Sequence, residues 1–138
     1  IRYADKNDRK AVWFWLKDPM SCLFLKNKKR YPDYSKHCVW FDTLCEKGHL
    51  IIGVKDNLRV GLGLIIATRE KTVSKFYLKP VYCGVVGLEF VKQSCEFIYQ
   101  QNKQTVYIDY LGSKNIKQDL LNMGFLRAEG NYIKYESQ

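Results

Sequence analysis

The sequence predicts an α/β (α+β) fold with a mixed central sheet of about seven strands and about four helices. Its hydrophobic periodicity alternates between the 3.6-residue repeat of helices and the two-residue repeat of strands. The two kinds of segment are interleaved in the order β, α, α, β, β, β, α, β, α, β, β. The chain has 138 residues, the usual size of one domain with one core, and it contains no repeat or linker. We therefore expect a single domain over residues 1–138.

The N-terminal third is predicted to contain a strand, two helices and a long loop. The strand covers residues 1–4, and Asp5 or Asn7 is suited to cap the first helix. A loop over 20–34 separates this helix from the second one, which Ser35 is predicted to cap. The buried faces of the two helices, at i, i+3, i+4 spacing, are Val12, Trp15 and Leu16 and then His37, Trp40, Phe41 and Leu44.

The middle of the chain changes to the periodicity of strands. Residues 49–54 and 58–67 are apolar, β-branched runs, and the short polar turn between them indicates a hairpin. Residues 72–78 form the next predicted strand. Gly61 and Gly63 are unusual inside a strand, and they indicate a bulge, a ligand in close approach or relief of crowding in a twisted sheet.

The C-terminal part is predicted to begin with a connection after Pro80 that leads into a helix starting near Gly87. Residues 105–109 then form a strand, 115–123 a short helix and 125–135 a hairpin. A strand, a helix and another strand in this order predict at least two parallel strands. The inner face of the long helix is predicted to hold Leu88, Val91, Cys95 and Ile98.

Composition limits the class of protein. Apolar residues make up 46% and charged residues 27% of the chain, as in ordinary globular proteins. No run approaches the ~20 apolar residues of a membrane span, and the charges in the first five residues do not fit a signal peptide, so we expect a soluble, cytoplasmic protein. The five cysteines include no CxxC motif, which favours reduced thiols over a zinc site. The net charge of +9 indicates an anionic partner or a need for solubility.

The strongest functional signal lies between the strand at 72–78 and the following helix. A loop with Gly84 and Gly87 before a helix is an arrangement in which backbone N–H groups and the positive helix end can hold a pyrophosphate. The loop matches neither the GxGxxG dinucleotide motif nor the P-loop. A purely structural turn before a helix is the alternative.

Together with the order of elements, this loop resembles the nucleotide-binding loop of the GCN5-related N-acetyltransferase (GNAT) family. The similarity covers most of the chain. Residues 15–19 resemble the end of the family's first helix, and 113–125 resemble its last helix with the Gly-Phe ending. Residues 35–41 and 78–80 are similar to members that acetylate amino sugars on nucleotide carriers, including enzymes of the pseudaminic-acid pathway.

The resemblance implies a sheet splayed in the middle and the transfer of an acetyl group from acetyl-CoA to a primary amine, without a metal. Coenzyme A would lie between the strands at 72–78 and 105–109. Backbone groups of the first strand would pair with the pantetheine arm, and N–H groups of the loop would bind the pyrophosphate. The implied coenzyme-binding residues are Phe76, Tyr77, Leu78, Gly84, Val85, Val86, Gly87, Leu88 and Ser113.

Two segments depart from the family pattern. In the loop, matching Gly84 to the first family glycine puts Val81 where Arg or Gln is usual, whereas matching Gly87 puts Glu89 at the position of a small residue. In the last helix, Leu120 stands where many members have a tyrosine that protonates the departing thiolate. The general acid therefore does not carry over to Leu120. Another group or water would serve, or the chain only binds the coenzyme.

The expected reaction is direct attack of a neutral amine on the thioester carbonyl, helped by orientation and an N–H group facing the oxyanion. Asp109, at the end of the strand lining the opening, is the candidate base, and Tyr110 is the candidate acid. His49 begins a strand near the expected acceptor cleft and is a third candidate for handling protons. His37, on an apolar stripe, is predicted to be a hydrogen-bonded core histidine.

The expected acceptor is an amino sugar carried on a nucleotide. Lys29, Arg30 and Tyr31 place positive charge and an aromatic ring in the loop between the first two helices, where phosphates and a base could bind. An amine at a protein N-terminus is the alternative substrate. A basic nucleic-acid-binding module and an inactive relative that only binds acyl-CoA are alternatives of other classes. The sequence leaves both a monomer and a homodimer open.

Overall fold

A computed structural model describes residues 1–17, 22–23, 33–78, 82, 84–109, 114–130 and 132–136. In this part of the chain, one mixed sheet is packed between α-helices. The helices are α1 (Arg9–Lys17), α2 (Tyr34–Glu46), α3 (Val85–Asn102) and α4 (Lys114–Asn122), with a 3-10 turn at Lys6–Asp8. The strands are β1 (Arg2–Tyr3), β2 (Cys22–Leu23), β3 (Leu50–Lys55), β4 (Leu58–Ala67), β5 (Thr72–Leu78), β6 (Val106–Asp109), β7 (Leu126–Arg127) and β8 (Tyr132–Tyr135).

The sheet has the strand order β1-β3-β4-β5-β6-β8-β7, and β2 pairs with β5 outside this path. Strands β5 and β6 are parallel and are connected through α3, whereas the other pairs are antiparallel. The α+β class, the mixed sheet and the predicted parallel pair are therefore confirmed. Short connections explain the antiparallel pairs β3–β4, β4–β5 and β7–β8, and the long helical crossover explains the parallel one.

Each face of the sheet carries a hydrophobic core. Side chains alternate between the faces along each strand, so that Tyr77 of β5 packs on the α1–α2 side while Phe76 and Leu78 pack on the α3 side. The first core includes Val12, Leu16, Phe41, Leu50, Ile52 and Leu62. The second includes Ile51, Phe76, Val91, Cys95, Ile98, Ile108, Leu120 and Ile133. The predicted buried faces of the helices supply much of both cores.

The N-terminal segment is held to the sheet by Asp8, whose side chain is fully buried. Arg2 donates two hydrogen bonds to its carboxylate, at 2.7 and 2.8 Å, and Arg59 of β4 donates a third at 2.7 Å. The Asp5 N–H donates a fourth, in a reciprocal cap of the 3-10 turn. These bonds join β1, the turn and β4, and they compensate the cost of burying the charge.

Three predicted boundaries differ from the structure. Asp33, not Ser35, caps α2: its carboxylate accepts the Lys36 N–H at 3.0 Å, and its extended backbone suits that role. Helix α3 begins at Val85, two residues before Gly87. The predicted loop over 20–34 contains strand β2, and the rest of it up to residue 32 lies outside the described residues.

The glycines of β3 and β4 relieve crowding under helix α3. A Cβ on Gly53 would lie 2.2 Å from the Phe90 ring, and one on Gly61 would lie 2.5 Å from the Tyr77 carbonyl oxygen. A Cβ on Gly63 would lie 2.8 Å from Ile51. Because these distances are shorter than real carbon contacts, a side chain at any of these positions would force its neighbours to shift. The sequence left a bulge, a ligand or relief of crowding open for Gly61 and Gly63, and the structure favours relief of crowding. The irregularity in strand pairing lies between Gly53 and Val54.

Candidate functional site

The sheet opens between β5 and β6. Residues Thr72–Ser74 of β5 pair with Val106–Ile108 of β6, and the pairing stops there. On its other edge, β5 pairs with β4 along its whole length, from Thr72 to Leu78. The segment Phe76–Leu78 therefore extends past the last β6 partner, as the predicted splay requires.

Strand β2 occupies part of this opening. It pairs antiparallel with β5, with Cys22 opposite Leu78 and Leu23 opposite Tyr77. At these two positions, β4 pairs with one edge of β5. Strand β2 therefore pairs with the opposite edge, the one that β6 occupies only as far as Ser74. The backbone predicted to meet the pantetheine arm is thus paired with the chain itself in this structure. The apolar run around Cys22 and Leu23 was the sequence signal for this strand.

The N-terminus of α3 lies next to the end of β5. Gly84 is the N-cap, and Val85, Val86 and Gly87 are the first three helical residues, the positions whose N–H groups have no acceptor within an α-helix. The Leu88 N–H donates to the Gly84 carbonyl at 2.9 Å. This bond belongs to the helix, so Leu88 is removed from the predicted pyrophosphate contacts.

The two glycines of this N-terminus differ in their surroundings. A Cβ on Gly87 would lie 2.2 Å from the Tyr82 carbonyl oxygen and 2.7 Å from Leu78 Cδ1, so packing requires glycine there. A Cβ on Gly84 would meet no described atom within 4 Å, and this residue is exposed. The first turn carries no acidic residue, and Val85 is 84% exposed. This helix end is therefore accessible and electrostatically suited to an anion.

The proton-handling candidates are only partly described. Asp109 ends β6, and its backbone pairs with Tyr132 of β8; its side chain, like Tyr110, lies outside the described part. His49 precedes β3 and accepts the Ile65 N–H at its carbonyl. Three strand spacings separate β3 from β6, about 14 Å at 4.8 Å each, so the fold does not bring His49 and Asp109 together.

The other predicted ligand contacts lie outside the described residues. These are Ser113 for the coenzyme and Lys29, Arg30 and Tyr31 for the acceptor. Leu120, at the position of the missing tyrosine, is fully buried in the core on the α3 side. A packed core leucine accounts for this departure from the family pattern.

Burial explains the shifted pKa values of one histidine and two cysteines. His37 is fully buried, its Nε2 lies 2.8 Å from the Arg9 carbonyl, and burial lowers its pKa. The prediction of a hydrogen-bonded core histidine is confirmed. Burial also raises the pKa of the Cys95 thiol well above its usual value and that of Cys45, whose Sγ donates to the Ala4 carbonyl at 2.9 Å.

The described ranges contain neither a candidate metal site nor a candidate membrane span. No group of three His, Cys, Asp or Glu side chains there could hold a metal ion. None of the helices among these residues is long and apolar enough to cross a membrane.

Comparisons with known proteins give a match at the level of structure. No protein-family model matches the sequence, and no curated protein sequence matches it. The chain is similar to a GNAT superfamily phosphinothricin acetyltransferase from Sinorhizobium meliloti in complex with AcCoA, with a TM-score of 0.71 at 14% identity, over 97% of this chain and 85% of the other. The chain has the GNAT acetyltransferase fold.

Two further solved structures share this GNAT fold. The yncA protein from Salmonella typhimurium, solved with its cofactor acetyl-CoA, has a TM-score of 0.69 at 14% identity, over 96% of this chain and 87% of the other. A ribosomal-protein-alanine N-acetyltransferase from Brucella melitensis has a TM-score of 0.70 at 13% identity, over 96% of this chain and 93% of the other. The likeness thus spans nearly the whole chain.

Proposed function

We propose that the chain is an acetyl-CoA-dependent N-acetyltransferase that acts on a primary amine. One observation carries the proposal: the edge of β5 at Phe76–Leu78, where β6 no longer pairs with it, lies against the N-terminus of α3. An extended pantetheine arm can pair with a strand edge, and a helix N-terminus favours a pyrophosphate. The N–H groups of Gly84 to Gly87 are the proposed anion donors. Acetyl-CoA in two solved structures of this fold supports the same ligand here.

Binding in this mode requires β2 to leave the edge of β5, because one edge cannot pair with β2 and the pantetheine arm together. Amide hydrogen exchange tests this requirement. With saturating acetyl-CoA, exchange in the segment containing Cys22 and Leu23 is expected to accelerate, while exchange at Val85–Gly87 slows. Slower exchange in both segments would contradict the displacement of β2.

The proposed chemistry is one acyl transfer. The amine nitrogen attacks the thioester carbonyl carbon, the carbon–sulfur bond breaks, and coenzyme A leaves as a thiolate. We assign the amine's proton to Asp109 and the protonation of the thiolate to Tyr110. His49 is the weaker candidate because of its separation from β6. An Asp109→Asn variant is expected to lose at least 100-fold in kcat while its Kd for acetyl-CoA stays unchanged; an unchanged rate from pH 6 to 9 would remove Asp109 from the mechanism.

The proposed acceptor is an amino sugar on a nucleotide, on the basis of Lys29, Arg30 and Tyr31. Two of the similar structures are named for other acceptors, a ribosomal-protein alanine and phosphinothricin. Coenzyme A release should therefore be measured with an amino-sugar nucleotide, an alanine-terminated peptide and an amino acid. Turnover of the peptide alone would replace the proposed acceptor. The predicted cytoplasmic location remains part of this proposal.

A further inference from the structure

A groove on the α1–α2 face of the sheet lies outside the opening between β5 and β6. Its volume is about 920 Å³, within the range of ligand sites. We call it the Tyr107–Tyr132 groove. The residues used below are Lys71, Tyr107, Arg127, Glu129, Tyr132 and Lys134.

The groove follows from alternation along β6 and β8. Ile108 and Ile133 pair across these strands and are both fully buried in the core on the α3 side. Their neighbours Tyr107 and Lys134, which are also cross-strand partners, therefore face the opposite side. The result is a polar and aromatic surface on the face that α1 and α2 cover farther along the sheet.

Cationic residues line this groove. They are Lys71, Arg127 and Lys134, together with one carboxylate, that of Glu129. Arg127 is the cross-strand partner of Ile133, so alternation directs its side chain toward the α3 side. Lys134 forms an ion pair with Glu136 at 3.3 Å. Lys71 makes no ion pair with a residue that the structure describes, so its charge is left to attract an anionic ligand.

Two tyrosine rings lie beside these cations. The ring centroids of Tyr107 and Tyr132 are 6.3 Å apart at an interplanar angle of 88°. The Lys71 Nζ lies 5.0 Å from the first centroid and 5.4 Å from the second. Both rings are partly exposed. Aromatic side chains in this setting can stack with a nucleobase while nearby cations hold its phosphates.

We propose that the Tyr107–Tyr132 groove binds a nucleoside diphosphate, as the nucleotide part of the acceptor. This inference rests on the proposed function, and it places the acceptor's nucleotide in this groove instead of at Lys29, Arg30 and Tyr31. The groove reaches the reacting end of β6, because Tyr132 pairs with Asp109. Tyr107 precedes Asp109 by two residues, about 7 Å along the strand. A sugar attached to a nucleotide held here would lie near the proposed proton acceptor.

The test is calorimetric titration of the full chain with uridine 5′-diphosphate, without acetyl-CoA. We expect a saturable single site. Lys71→Ala should weaken binding about fivefold through the lost charge. Tyr132→Leu should weaken binding about tenfold through lost stacking, whereas Tyr132→Phe, which keeps the ring, should bind as the native chain does.

Lys47→Ala is the matched control, since Lys47 is an exposed lysine at the end of α2. Equal weakening by Lys47→Ala, or no binding at all, would overturn the inference. Displacement of the nucleotide by acetyl-CoA would place the nucleotide at the α3 N-terminus and would also overturn the inference. A second arm uses thymidine oligonucleotides, because affinity that rises with their length would assign the groove to nucleic acid instead. Nucleotide binding in a chain that fails to bind acetyl-CoA would uphold the groove while rejecting the proposed transferase.

Discussion

Replacement of Asp8 by Asn removes a buried charge that connects three segments of the fold. Burial alone would raise the pKa of Asp8, but hydrogen bonds from Arg2, the Asp5 backbone and Arg59 outweigh it and lower the pKa from 3.8 to about 2. At 1.36 kcal/mol per unit, this shift corresponds to about 2.4 kcal/mol. Solvent screening around the partly exposed arginines reduces the expected loss to roughly 1–2 kcal/mol at pH 7.

This stabilisation depends on pH in a defined direction. Because the folded-state pKa is the lower one, the stabilisation is complete well above pH 3.8 and is lost as the pH falls toward about 2. Urea unfolding followed by tryptophan fluorescence, at pH 7, 5 and 3, measures it. The unfolding free energy of the native chain should exceed that of Asp8→Asn by the same amount at pH 7 and pH 5, and by about half that amount at pH 3.

The control for Asp8→Asn is Asp56→Asn. Asp56 lies in the exposed β3–β4 turn at φ 52°, a conformation that Asn tolerates. This substitution makes the same change in charge without removing an ion pair to a described residue. Equal losses of unfolding free energy in the two variants, or a loss in Asp8→Asn that does not change with pH, would refute the reasoning.

Three other perturbations test the packing. Gly87→Ala should cost about 1–3 kcal/mol in urea unfolding, because its Cβ would overlap the Tyr82 carbonyl, whereas Gly84→Ala should cost under 1 kcal/mol; the reverse order would contradict the geometry. Burial lowers the pKa of His37, so stability should fall as pH drops below about 6.5, and His37→Gln should flatten unfolding free energies measured between pH 7.5 and 5.5. Cys95, whose pKa burial raises, should react with a thiol reagent only as fast as the chain unfolds in mass-spectrometric labelling, and faster labelling would contradict its burial.

The sequence predicted the elements whose pattern is strong and local. The continuous apolar, β-branched run of β4 and the stripe of His37 and Phe41 on α2 are both local consequences of burial, so the sequence was sufficient to find them. Helix boundaries were less certain because Asp33 and Ser35 are both good caps two residues apart. The choice between them depends on backbone geometry at the end of a segment that has no periodicity of its own.

The candidate site was harder to predict because it depends on pairing across the sheet. Strand β2 pairs with a strand more than 50 positions away in the sequence, and nothing local in its two residues specifies that partner. The groove has the same origin, since Lys71, Tyr107 and Tyr132 meet only through the β5-β6-β8 order. In contrast, the glycines before α3 were visible as a motif, although their separate roles needed coordinates.

Isothermal titration of the purified chain with acetyl-CoA tests the central claim most directly. A single saturable site is expected, with Gly84 to Gly87 slowed in hydrogen exchange in the same complex and a higher unfolding temperature that follows ligand concentration by mass action. The absence of binding at millimolar acetyl-CoA would contradict the proposed transferase, and affinity for single-stranded nucleic acid that falls steeply with salt would then favour the basic binding module.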